Sequence, residues 1–116
     1  MRPLHRVLEE VWPFLNKGDG THGDFLREPY ICYALYEARR EGRITIEEYR
    51  AACDLVVRNV ANLGSGMYLI TAAKQAGLVP LDVPATSLLY VEWRNRWLRR
   101  LIDREKVKYE AETRTL

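Results

Sequence analysis

Thr45-Ile46-Glu47-Glu48 constrains this chain more than any other stretch, because it has the form of a capping box. A threonine at the N-cap accepts the amide three residues on, and Glu48 reaches back to the Thr45 amide. Ile44 and Tyr49 fall at the two positions of a hydrophobic staple across that cap. Gly42, just upstream, suits the left-handed residue that ends a preceding helix. One helix therefore stops and another starts within a few residues, which predicts a helical hairpin closed by Gly42-Arg43-Ile44.

The same punctuation recurs along the chain. Leu4, Val7, Leu8, Val11, Trp12 and Leu15 keep helical spacing and predict an opening amphipathic helix that Pro13 ends or bends. Asn16 to Asp24 holds three glycines among short polar residues and reads as a loop. Pro29 fits the first turn of a second helix through Ile31, Ala34, Leu35 and Ala38. The third helix, after Thr45, carries Tyr49, Ala52, Cys53, Val56 and Val60 on one stripe. Leu63-Gly64-Ser65-Gly66 breaks it. A short fourth helix is predicted from Met67 with Leu69, Ala72, Ala73 and Ala76, capped by Gly77, and its alanines allow close approach of a neighbour. Pro80 and Pro84 bound a connector, and Pro84 suits the start of a long last helix reaching Glu105 or beyond. From Lys106 onward only Val107, Tyr109, Ala111 and Leu116 are apolar, so residues 107–116 are expected to fray. The predicted architecture is all-α, a single domain of about five helices with a long C-terminal one.

Composition narrows the function classes. The 116 residues are 47% hydrophobic and 29% charged, enough for one core and unlike a disordered tail. No apolar run approaches membrane-spanning length and no signal-peptide pattern opens the chain, which predicts a soluble, cytoplasmic protein with no membrane partner. Cys32 and Cys53 match neither a disulfide framework nor a zinc spacing and are expected to be reduced and partly buried. The net charge of +2 is uneven: residues 1–90 carry 10 basic and 11 acidic side chains, residues 91–116 carry 8 and 5. That bias favours an acidic partner or a solvated helix face, and falls short of a dedicated nucleic-acid binder.

The last helix carries the strongest candidates for binding. On a wheel of about 100° per residue, Tyr90, Val91, Trp97, Leu98 and Leu101 share one side, with Ile102 at its edge. Arg96, Arg99, Arg100 and Asp103 share the other. Arg94 projects from the middle of the apolar face, where a charge needs a partner. Three outcomes are open: an internal ion pair with Asp54 or a helix-three glutamate, a snorkelling stem, or a fork that receives an anion. Along the border, Trp93, Arg96, Trp97, Arg100 and Arg104 form a tryptophan–arginine edge, the residue types most enriched at binding hot spots and able to stack on bases. Alternatively, the tryptophans anchor the helix and the arginines lie in water. Tyr33 and Tyr36, near Arg39 and Arg40, either cover another part of the core or form an exposed aromatic–basic patch.

Other groups point to no chemistry. Asp19, His22 and Asp24 match no calcium loop, and turn chemistry accounts for the aspartates, so no metal is expected. His5 sits one turn from Glu9, as in an ordinary surface pair. GxSxG, HExxH and phosphate-loop patterns are lacking, and Gly64-Ser65-Gly66 is too short for the last. Neither an enzyme nor a cofactor is expected.

Three stretches together carry a resemblance: Tyr30-Ile31-Cys32-Tyr33-Ala34-Leu35; Gly42-Arg43-Ile44-Thr45 with Glu48-Tyr49; and Arg94-Asn95-Arg96-Trp97-Leu98 followed by Leu101-Ile102. In that order they resemble small uncharacterised proteins of bacteriophages and prophages. The resemblance spans residues 28–105 and brings no catalytic residues with it. It implies a phage accessory protein in a bacterial cytoplasm, expected to bind and inhibit a host defence protein, as a homo-oligomer. Two alternatives stand beside it: sequestration of an anionic nucleotide signal between subunits, and nucleic-acid binding through the basic last helix. The acidic residues Glu92 and Asp103 on the basic face weigh against the last.

Overall fold

The computed structural model describes residues 1–13, 15, 31–64 and 68–114. Among them the chain forms five α-helices and no strand: α1 Leu4–Val11, α2 Ile31–Arg40, α3 Ile46–Ala61, α4 Leu69–Gln75 and α5 Leu88–Arg114. The all-α class and the long C-terminal helix are as expected. The Asn16–Asp24 loop, Pro29, Ser65, Gly66, Met67 and Leu116 lie outside the described residues.

The α2–α3 turn is built as the capping box requires. Gly42 takes φ 77°. Its N–H donates to the Arg39 carbonyl at 3.0 Å, and the Arg43 N–H donates to the Ala38 carbonyl at 2.9 Å, the paired bonds of a Schellman stop. Thr45 Oγ1 accepts the Glu48 N–H at 3.1 Å, and Glu48 Oε1 accepts the Thr45 N–H at 2.8 Å. A second Schellman stop closes α4 at Gly77, where the Leu78 N–H reaches the Ala73 carbonyl at 2.9 Å.

Among the described residues two apolar clusters fill the interior. The larger joins Val7, Leu8 and Val11 of α1, Leu35 and Ala38 of α2, Ala52, Val56 and Val60 of α3, and Leu98, Leu101 and Ile102 of α5. The smaller joins Ile70, Val83 and Tyr90, and Trp93 packs against both. With only eight residues, α1 is too short to persist alone. Its stability comes from burying Val7 and Leu8 completely, worth about 1.5–3 kcal/mol each.

Three details differ from the sequence expectation. The last helix begins at Leu88, not Pro84, because Ser87 is the better N-cap: its Oγ accepts the Leu89 N–H at 3.3 Å while Pro84 closes a turn onto the Ser87 N–H. At its other end α5 does not fray at residue 107 but continues to Arg114. Glu, Lys, Ala and Arg there are strong helix formers, Thr113 Oγ1 donates back to the Tyr109 carbonyl at 3.0 Å, and the Tyr109 ring packs 5.3 Å from His5. His5 accordingly is buried rather than part of a surface pair. Rising about 1.5 Å per residue, α5 sets the long axis of a molecule that measures 48 × 29 × 26 Å.

One polar cluster ties α1 to the hairpin. Glu48 is only 2% exposed, and its carboxylate accepts from Arg2 Nε at 2.9 Å, Arg2 Nη2 at 3.1 Å and the Arg2 backbone N–H at 3.1 Å. Arg2 Nη2 also donates to the Arg43 carbonyl at 2.8 Å. Arg43 Nη1 returns the contact, donating at 2.8 Å to the Glu10 carbonyl in the last turn of α1, where helical carbonyls lack partners of their own. Both ends of α1 are thus held to the one turn between α2 and α3. Hydrogen bonds from Arg2, helped by the Thr45 amide, outweigh burial and lower the Glu48 carboxyl from 4.5 to about 2.

A carboxyl lowered in the folded state stabilises it above its unfolded value, and that contribution is lost as pH falls through the folded one. Since Arg2 is half-exposed and screened, the contribution is about 1–2 kcal/mol. Between about pH 5 and pH 2, wild-type unfolding free energy should therefore fall by that much more than that of Glu48→Gln in urea titrations. Equal declines would contradict the assignment.

Candidate functional site

The candidate binding edge runs along α5, and its geometry follows from how the helix is packed. Leu98, Leu101 and Ile102 are buried against the main core, which turns the neighbouring stripe outward. Trp93 and Trp97 lie on the margin of that stripe, each half-buried and packed against the core. Their rings stack at 6.4 Å with 24° between planes, and Trp93 stacks in turn on Tyr90 at 6.3 Å and 25°. Tyr90 is almost wholly buried, so the two indoles form the outer part of an aromatic ladder rooted in the interior.

The arginines of the edge divide into two kinds. Arg96 and Arg100 are exposed beside the indoles. Arg104 is exposed as well, but its Nη2 donates to Asn59 Oδ1 at 2.8 Å, and Asn59 Nδ2 donates to the Leu55 carbonyl at 2.8 Å. Arg104 thus acts as a strut between α5 and α3. Arg96 and Arg100 are the cations best placed to meet another molecule.

Arg94 occupies the position the wheel gave it and is fully buried there. Its guanidinium carbon sits 5.6 Å from the centre of the Tyr90 ring, a cation–π contact one turn back along the same helix. Of the acids considered as ion-pair partners, Asp54 pairs with Arg58 at 3.2 Å on the surface and Glu48 pairs with Arg2. Asn95, beside it, is buried too. The base of the aromatic ladder is therefore polar and sealed.

On α2, Tyr33 and Tyr36 are exposed at 38% and 46%, with ring centres 6.5 Å apart. They do not cover the core. Their basic neighbours are already engaged, Arg40 with Glu37 at 2.6 Å and Arg39 over the Tyr49 ring at 5.5 Å. The tyrosines thus form an aromatic pair whose neighbouring cations face internal partners.

No protein-family model, curated protein or solved structure matches this chain. The site is consequently defined by its own geometry.

Sequence reasoning overlooked four exposed leucines. Leu78, Leu81, Leu88 and Leu89 are all about half or more exposed, at the α4–α5 connector and the first turn of α5. Leu78 and Leu81 line an open depression with Val79 and Pro80. The leucines fell outside any helical stripe, and a count of apolar residues in a connector was the only available signal. Among the described residues no cluster of three or more histidine, cysteine or acidic side chains is arranged to hold a metal. Asp19, His22 and Asp24 lie outside the described residues. No described helix is long and apolar enough to cross a membrane.

Arg94→Ala removes a large, fully buried side chain and the contact that supports Tyr90. It should lower stability by about 3 kcal/mol, read as a lower denaturation midpoint. An unchanged midpoint would show that Arg94 contributes nothing to the packing.

Proposed function

We propose that this protein is a non-catalytic, phage-type accessory protein that binds a host defence protein and inhibits it, using the tryptophan–arginine edge of α5. The observation that carries the proposal is the stacking of Trp93 and Trp97 on a buried aromatic base beside exposed Arg96 and Arg100. Rings fixed before contact lose little side-chain freedom when a partner covers them, so more of their burial appears as affinity. Two flanking guanidinium groups favour a partner with carboxylates around an apolar spot. The exposed leucines at the start of α5 enlarge the apolar area on the same helix. In this role the protein works in the bacterial cytoplasm as a homo-oligomer and without a cofactor.

The two alternatives draw less support from the geometry. A nucleotide gripped by Arg94 requires the guanidinium to leave a fully buried site. Nucleic acid along the edge meets exposed Glu92 and Asp103 beside the arginines.

The test is affinity capture from bacterial lysate with the wild type, with Arg96→Glu/Arg100→Glu, and with Arg50→Glu as an exposed control on α3. The edge variant should lose a stoichiometric protein partner at least about tenfold, which corresponds to about 1.4 kcal/mol, while Arg50→Glu retains it. Equal capture by all three would refute the edge as the binding surface. A co-purifying nucleotide, or capture of nucleic acid that falls steeply with salt, would favour the alternatives instead.

A further inference from the structure

The tryptophan–arginine edge of α5 does not stop at Arg104. At about 100° per residue, Val107, Ala111 and Arg114 fall on the same side of the helix as Trp93, Arg100 and Arg104, and Leu89 falls there one turn before Trp93. Steps of three and four residues join these positions from end to end, so one stripe runs along α5 for about 38 Å. It lies open: Leu89 is 47% and Val107 66% exposed, the indoles are half-buried, and Arg100, Arg104, Ala111 and Arg114 are exposed. The stripe contains no acid. Exposed Glu92, Asp103 and Glu110 instead form a row along one border, with exposed Lys108 on the other. Core packing accounts for only part of this helix. Among the described residues Ile102 is the last of α5 to be buried, yet the helix continues to Arg114. The Tyr109 ring that meets His5 is on the opposite side of the extension, so that contact leaves Val107 and Ala111 in solvent.

We propose that the occupant of this stripe is an acidic amphipathic helix of a partner protein, about 25 residues long and lying along α5 from Leu89 to Arg114. This rests on the reading of the α5 edge as a protein-binding surface, and adds the form and extent of what binds there. A lone helix presents a narrow ridge, and side chains spaced at three and four residues seat in the grooves of a second helix. The order along the stripe is apolar, cationic, apolar: Leu89 with the indoles, then Arg100 with Arg104, then Val107 with Ala111. A complementary helix carries aliphatic side chains towards both ends and carboxylates at its middle, where the guanidinium groups donate to them. Arg104 keeps its Nη2 bond to Asn59 and has further N–H groups to give. The acidic row on one border sets the rotation, since basic residues of the partner belong on that side. A second copy of this chain suits the stripe less well, because its own arginines would meet like charge. A nucleic-acid backbone, negative throughout, meets the acidic row.

The experiment titrates the full-length protein with two labelled synthetic peptides of about 25 residues and identical composition. One repeats leucine and glutamate at heptad spacing with lysine on one border; the other is a scramble without period. Anisotropy reports binding, tryptophan emission reports covering of Trp93 and Trp97, and circular dichroism reports helix formation. The periodic peptide should bind at least about tenfold more tightly than the scramble, with a blue shift of the emission and a gain of helix. Val107→Glu/Ala111→Glu should weaken it at least about tenfold, as should Arg96→Glu/Arg100→Glu. Lys106→Glu changes the charge by the same amount on another side of the extension and should bind as wild type does. Glutamate is a good helix former, so these variants keep α5 intact, and an unchanged helical signal of the free protein checks it. Full binding by Val107→Glu/Ala111→Glu with loss in Arg96→Glu/Arg100→Glu would overturn the helix-long contact while leaving the shorter edge standing. Absence of binding, equal binding of the scramble, equal loss in Lys106→Glu, or tighter binding of a DNA duplex of about the same length would each overturn the proposal.

Discussion

The Glu48 carboxylate is the contact on which the rest of the structure depends. It is a buried charge, and a buried charge is tolerated only when its lone pairs are satisfied. Here two N–H groups of the Arg2 guanidinium and the backbone amides of Arg2 and Thr45 all converge on it. The same carboxylate completes the cap of α3 and fastens the start of α1, so one side chain connects local helix initiation with tertiary packing. The Arg43 bond to the Glu10 carbonyl fastens the other end of α1. Held at both ends, α1 covers the apolar side of α5, and that fixes which stripe of α5 remains outside.

The functional proposal follows from that fixed orientation. With Leu98, Leu101 and Ile102 turned inward, the indoles fall on the margin and Arg96 and Arg100 fall in water. The polar base beneath the ladder, Arg94 with Asn95, is unusual in a helix packed on both sides. Its position under Tyr90 makes it part of what keeps the aromatic rings in place, and hence a support for the edge.

Much of this was legible locally. The capping box, the Gly42 and Gly77 stops and the buried faces of α1 and α3 are properties of neighbouring residues, and each appears as read. Arg94 too could be placed on the apolar face by spacing alone. Errors arose where two local signals competed or where a distant partner decided. Pro84 and Ser87 both suit a helix start, and the side-chain cap prevailed. Residues 107–114 lack an apolar stripe, yet strong helix formers and the Tyr109–His5 contact carry the helix onward. His5 looked like a surface residue because Tyr109 stands more than a hundred positions away. The Arg2–Glu48 pair was illegible for the same reason, since it requires the hairpin to be folded before the partners meet.

The central claim, that Arg2 and Glu48 act as one fastening rather than as two independent contributors, is tested most directly by a double-mutant cycle. Urea unfolding of wild type, Arg2→Met, Glu48→Gln and the double variant gives the coupling free energy between the two side chains. A coupling of about 1 kcal/mol or more, with the double variant no less stable than Glu48→Gln alone, is the expected result. Strictly additive losses would contradict it.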